Sequence, residues 1–183
     1  LYLERHPGKT IRIISSVWND PFEANISDLD IQYGTGIWAG VRSHRLTWET
    51  ITPLCAPSLC ERLPIRKPDD LQKHRLLHVL GYQEGWGTWL KAAGATKVDP
   101  GQGLQLDTSL LALELAAQGG GVALGRLSLS NGERASGRLV APFDLPTPHM
   151  QTLYVVTRTE QAKDKRIVAC KRWLTAAVKQ ASR

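Results

Sequence analysis

The chain of 183 residues has no stretch of about 18 consecutive apolar residues, so nothing in it reads as a membrane-spanning helix. Cysteine is scarce: Cys55, Cys60 and Cys170 are odd in number and lack the paired Cys/His spacing of a zinc site. They read as free thiols of a protein kept in a reducing cytoplasm, with Cys55 and Cys60 also open to a redox reading. Five histidines (His6, His44, His74, His78 and His149) and many serines are present. No Gly-x-Ser-x-Gly elbow, metal-binding His pair or phosphate loop frames them, so neither an enzyme nor a metal or cofactor site is expected. Gly34, Gly36 and Gly40 suggest a dinucleotide loop, but the third glycine comes one residue late and no clear helix follows. A loop that needs glycine dihedrals is the better account. A signal-peptide pattern is also missing. The chain starts at Leu1, in what reads as the last turn of a helix, and is expected to be a fragment whose original N-terminus lies upstream.

Charge is unbalanced, with 23 Lys plus Arg against 17 Asp plus Glu. No motif interleaves the basic residues with aromatics. Outside the C-terminal segment holding Lys163, Lys165, Arg166, Lys171, Arg172, Lys179 and Arg183 they are scattered. That segment reads as the solvated face of a helix rather than a nucleic-acid groove.

What is present is organised around residues 107–125. Asp107, Thr108 and Ser109 are N-cap residue types, a run of strong helix formers follows, and Gly119, Gly120 and Gly121 stop it. Leu104, Gln105 and Leu106 alternate before the helix, and Val122, Ala123 and Leu124 form an apolar run after it, which predicts a strand-helix-strand unit. Glu114 and Gln118 are its one polar stripe, so the helix is expected to be covered on most sides. Its N-terminus offers unpaired N–H groups, a positive dipole and the hydroxyls of Thr108 and Ser109, which suit a carboxylate or phosphate or serve as a cap.

Around this unit, residues 10–14 and 29–33 read as strands, with Ser15 and Ser16 at the carboxyl end of the first, where ligands of open α/β sheets sit. Residues 48–55 read as a strand that Pro53 confines to an edge or a crossing point. Short helices are predicted around 58–62 and from Pro68, a strand at 76–80, and a helix with Trp86, Trp89, Leu90 and Ala93 on one face. Residues 126–137 read as loop, 139–141 as extended, 150–157 as a strand, and Ile167, Cys170, Leu174, Val178 and Ala181 mark a final amphipathic helix. Proline-bearing crossings near residues 53–57 and 142–148 bracket a middle lobe at 57–146, with 1–56 and 147–183 folding into the other lobe.

Several segments in this order resemble one family. They are residues 29–40, 53–57, Asp70, Leu71 and His74, 86–94, 107–125, 137–143 and 172–174. The chain resembles the effector-binding domain of LysR-type transcriptional regulators, in the branch of the glycine-cleavage activator and the ampicillinase regulator. The resemblance implies an α/β fold of two Rossmann-like lobes joined by two crossovers, similar to type II periplasmic binding proteins. It also implies a small-molecule effector in the cleft, bearing a carboxylate or belonging to a cell-wall fragment. Matching positions imply effector contacts at Ser15, Ser16, Tyr33, Gly34, Thr108 and Ser109, with Trp86 and Tyr154 beside them. The implied partners are promoter DNA, reached through an N-terminal winged helix-turn-helix absent from this fragment, and further copies of the chain in a homodimer or homotetramer. The lobe's own first strand would also lie upstream. A solute-binding receptor of the periplasmic type would share the fold.

Overall fold

The computed structural model describes residues 2–15, 27–82 and 85–181. Its chain divides into two compact units, Leu1–Trp48 with Met150–Arg183, and Glu49–His149. The crossings therefore fall at 48/49 and 149/150, not at 56/57 and 146/147, because strand β3 (Glu49–Leu54) pairs inside the middle unit.

The middle unit carries a mixed five-stranded sheet in the order β5-β4-β6-β3-β7. Its strands are β3, β4 (Leu76–Val79), β5 (Leu104–Leu106), β6 (Val122–Arg126) and β7 (Thr147–His149). β4 runs parallel to β5 and β6, while β3 runs antiparallel to β6 and β7. Successive side chains of a strand point to opposite faces, and this splits the core in two. Cys55, Leu76 and Val122 enter one apolar cluster with Leu59, Leu71, Trp86 and Trp89, which come from α2 (Pro57–Arg62), a 3-10 turn (Pro68–Lys73) and α3 (Trp86–Ala92). Leu54, Leu77 and Ala123, their chain neighbours, enter the other with Ala112, Leu113 and Ala116 of α4 (Ser109–Ala117). The expected strand-helix-strand unit is thus present as β5, α4 and β6. The expectation that α4 is covered on most sides fails at its first turn, where Leu110 is 78% exposed.

Pro53 does not mark an edge: β3 has partners on both sides. The three-residue β7 reaches only Glu49, Thr50 and Ile51, and the next partner beyond it is Val140, opposite Cys55. Pro53 falls between those two partners, where its missing N–H interrupts no ladder bond.

Residues 126–137, expected as loop, instead form α5 (Leu127–Ala135). Serines, an asparagine and a glycine make its intrinsic propensity poor. Two local bonds compensate: the buried Glu49 carboxylate accepts from Ser128 N–H at 3.2 Å, and Ser130 Oγ donates to Arg126 O at 2.7 Å.

The other unit has a three-stranded antiparallel sheet in the order β1-β8-β2, formed by β1 (Asp30–Gly34), β2 (Val41–Arg45) and β8 (Thr152–Arg158). Tyr154, Val155, Val156 and Thr157 of the central strand are buried. The short α1 (Tyr2–Arg5) meets the long α6 (Lys165–Ala181) through an edge-to-face contact of Tyr2 and Trp173, centroids 5.3 Å apart. The strand expected at residues 10–14 does not form. No strand pairs with this segment among the described residues, and Ile13 is 86% exposed. β propensity does not hold a strand whose N–H and C=O groups have no ladder partner.

Two glycines of the middle unit separate packing from chain entropy. A Cβ at Gly121 would stand 2.5 Å from the backbone O of Arg75, whereas Gly132, inside α5, has nothing within 4 Å. Gly121→Ala is expected to destabilise by about 1–3 kcal/mol through overpacking. Gly132→Ala is expected to stabilise by about 0.5–1 kcal/mol. Urea unfolding midpoints of the two variants against wild type check both signs.

Candidate functional site

In the middle unit the site is built at the start of α4. Thr108 has extended backbone angles (φ −131°, ψ 149°), and its Oγ1 accepts from Leu111 N–H at 3.2 Å, so it is the N-cap. Ser109, the first helical residue, is thereby left free to use its hydroxyl outward, and its Oγ lies 2.8 Å from Tyr82 Oη. The guanidinium of Arg126, at the end of β6, stacks on the Tyr82 ring at 3.4 Å from its centroid. Arg126 is only 5% exposed, so its charge is held largely out of water. A hydroxyl pair, a fixed cation and the positive end of α4 therefore lie within one group. That arrangement suits an anion, since charge-assisted hydrogen bonds are about twice as strong as neutral ones.

In the other unit the polar group centres on Tyr154. Its hydroxyl accepts from Arg45 Nε at 3.0 Å and Nη2 at 2.9 Å, and donates to Thr35 O at 3.2 Å. Arg45 also lies over the ring of Trp48, 4.0 Å from the centroid, and Trp48 is 81% exposed. Trp38 meets the Tyr154 ring edge-on at 5.6 Å. The loop from Gly34 wraps this ring closely: a Cβ at Gly36, whose φ is +92°, would meet Tyr154 Cε1 at 2.5 Å, and one at Gly34 would meet Trp38 at 2.8 Å. This is the glycine-dependent loop expected from the sequence.

The residues singled out from the sequence fare unevenly. Thr108 and Ser109 stand together, and Gly34 lies in the Tyr154 group. Tyr33 is half-buried and pairs with Leu153, so its side chain leaves the sheet on the face opposite to Tyr154. Ser15 is exposed and joins neither group, and Ser16 lies outside the described residues. Trp86 is a correction. It is 2% exposed, its indole N–H donates to Leu77 O at 3.1 Å, and Trp89 stacks edge-on against it, which leaves no ring face for a ligand. Sequence reasoning missed Tyr82, Arg126 and Arg45. Arg126 follows an apolar strand and Tyr82 a glycine, and neither position carries a local signal.

Two grooves within the units are lined by other residues. One of about 790 Å³ is lined by Thr52, Asn131, Arg134 and Phe143, and one of about 430 Å³ by His44, Lys171, Arg172 and Lys179. Among the described residues no set of His, Cys, Asp and Glu is placed to hold a metal ion, and no helix is long and apolar enough to cross a membrane.

The chain thus folds into two α/β units and passes between them twice, and each unit carries an arginine on aromatic rings. The chain belongs to the LysR substrate binding domain family, whose model matches residues 1–179. It is 33% identical over 172 residues to the glycine cleavage system transcriptional activator of Escherichia coli K12, covering 93% of this chain and 56% of that protein. To the HTH-type transcriptional activator AmpR of Rhodobacter capsulatus it is 34% identical over 176 residues, covering 95% of this chain and 58% of the relative. Its fold is similar to the effector domain of AmpR from Pseudomonas aeruginosa, with a TM-score of 0.85 and 26% identity, covering 99% of this chain and 87% of that one. The chain thus spans little more than half the length of the regulators it matches, and these relatives are regulators, not enzymes.

The assignment of Trp86 to the core has a direct check. Trp86→Phe removes the indole bond to Leu77 O and part of a ring that is 2% exposed, and is expected to cost about 1–3 kcal/mol in thermal or urea unfolding. Unchanged stability would contradict the assignment.

Proposed function

We propose that this domain is the ligand-sensing part of a LysR-type transcriptional regulator and that its effector is a small molecule bearing a carboxylate. The observation that carries the reading is the group at the start of α4, where Ser109, Tyr82 and the enclosed Arg126 offer two hydroxyls and a fixed positive charge. Thr108 and Ser109 are effector contacts in this reading, with Tyr82 and Arg126 added to them. Gly34 and Tyr154, with the exposed Arg45, form a second contact group in this reading. In the full-length protein a separate part binds promoter DNA, and the protein works as a homodimer or homotetramer in the cytoplasm. The regulators among its relatives favour this over a solute receptor of the periplasmic type. Ligand control is then a population shift: the effector must bind one arrangement of the protein more tightly than another, because equal affinity for both would change nothing.

A thermal-shift screen against amino acids, organic acids, purines and peptidoglycan fragments tests this. A ligand present at about a hundred times its dissociation constant adds roughly 2.7 kcal/mol to stability. The expected result is a carboxylate-bearing hit whose shift is lost in Ser109→Ala and in Thr108→Ala/Ser109→Ala, while Thr108→Ser keeps the cap and the shift. A hit that survives all three variants would place the ligand elsewhere, and hits confined to uncharged compounds would overturn the carboxylate.

A further inference from the structure

We propose that Cys55 and Cys60 are a redox modification site that closes reversibly into a disulfide on exposure to a hydroperoxide. The two Sγ atoms lie 2.9 Å apart. A covalent S–S bond is about 2.05 Å, so the sulfurs need to close by less than about 1 Å.

The backbone holds them there. Cys55 directly follows β3, donating to Val140 O at 3.1 Å and accepting from Val140 N–H at 2.9 Å, and the next residue, Ala56, donates to Ala116 O at 3.2 Å. Pro57 then begins α2, and Leu59 and Leu63 continue its hydrogen bonds, so one turn of helix carries Cys60 back over Cys55. Both are packed on the apolar cluster of the middle unit, Cys55 fully buried and Cys60 at its margin. Cys170, the remaining cysteine of the sequence, lies on α6 in the other unit.

This difference in access assigns the steps. Cys60, the reachable thiol, attacks the peroxide as its thiolate. The O–O bond breaks, an S–O bond forms and the alcohol leaves, giving a sulfenic acid. Cys55 Sγ then attacks the Cys60 sulfur. The S–S bond forms, the S–O bond breaks, and the hydroxyl departs with the Cys55 proton as water. Two thiols are oxidised by two electrons, and one hydroperoxide is reduced to alcohol and water. Burial, and then the hydrogen bond to Cys60, push the Cys55 thiol well above its usual range, which disfavours it as the first nucleophile.

The chain's own cleavage sites make the test direct, because trypsin releases Cys55 and Cys60 on one peptide, residues 46–62, and Cys170 on another, residues 167–171. The folded chain is treated with hydrogen peroxide or tert-butyl hydroperoxide, alkylated without reduction and digested. Peptide 46–62 is expected to lose two hydrogens and take no alkylating group, to recover both sites after dithiothreitol, and to leave Cys170 alkylated. Cys60→Ser is expected to abolish the change. Cys55→Ala, a second route should that variant fold poorly, is expected to leave Cys60 at the sulfenic or sulfinic level with no cross-link. Two alkylating groups on peptide 46–62 after oxidation would overturn the proposal. So would an over-oxidised Cys60 beside a Cys55 that still alkylates.

Discussion

The middle unit depends on β6 being held between β4 and β3, parallel to one and antiparallel to the other. The period-2 alternation of Val122, Ala123 and Leu124 feeds two cores at once, so a slip of one residue would exchange the faces and empty both. That register also fixes where β6 ends, and its last residue is Arg126. An arginine at this point has the sheet behind it and the Tyr82 ring against it, which keeps the guanidinium in place without exposing it. The fold and the chemistry of the site are therefore coupled through one strand. The first turn of α5 follows directly and is anchored to β3 through Glu49, so both ends of the Arg126 segment are tied down.

The Tyr154 group is built on the opposite plan. Its cation, Arg45, comes from the edge strand of a small sheet and stays exposed, and its order comes from stacking and from two hydrogen bonds to one phenol oxygen. Arg45 is more exposed to solvent screening than Arg126, so a given anion gains less from it. What the group adds is aromatic surface. Trp48 shows most of its ring to solvent, and Trp38 and Tyr154 pack edge-on beneath the glycine loop. A ligand meeting this group would be read largely by its shape and its apolar parts.

How much of this was legible beforehand follows from how local each signal is. Strand β1, the helix capped by Thr108 and the closing helix α6 carry their signals within a few residues, as alternation, a cap or a 3.6-residue repeat, and the structure keeps them. α5 has the composition of a loop, because the groups that hold it include Glu49, far away in sequence. The segment at residues 10–14 has the composition of a strand without forming one, because pairing is a property of two segments. The aromatic residues show the same limit. Trp86 and Tyr82 sit on either side of one short turn. The sequence favoured the larger ring, yet Trp86 was drawn into the core by its N–H bond to Leu77, leaving Tyr82 to face Ser109 and Arg126.

The polarity that the group at the start of α4 favours depends on which of its charges dominates. The end of a helix contributes about 0.3–1 kcal/mol toward an anion, and Thr108 already spends one of the free N–H groups on its own cap. A hydrogen bond to a charged partner contributes about 1.5–3 kcal/mol, and removal from water strengthens it. Arg126 therefore outweighs the dipole in setting the sign, while Ser109 and Tyr82 set direction, because each hydroxyl can donate or accept. The overall excess of basic residues is concentrated on α6 and screened by solvent. What the group holds in place is one enclosed guanidinium stacked on Tyr82, with the hydroxyls of Tyr82 and Ser109 in contact beside it.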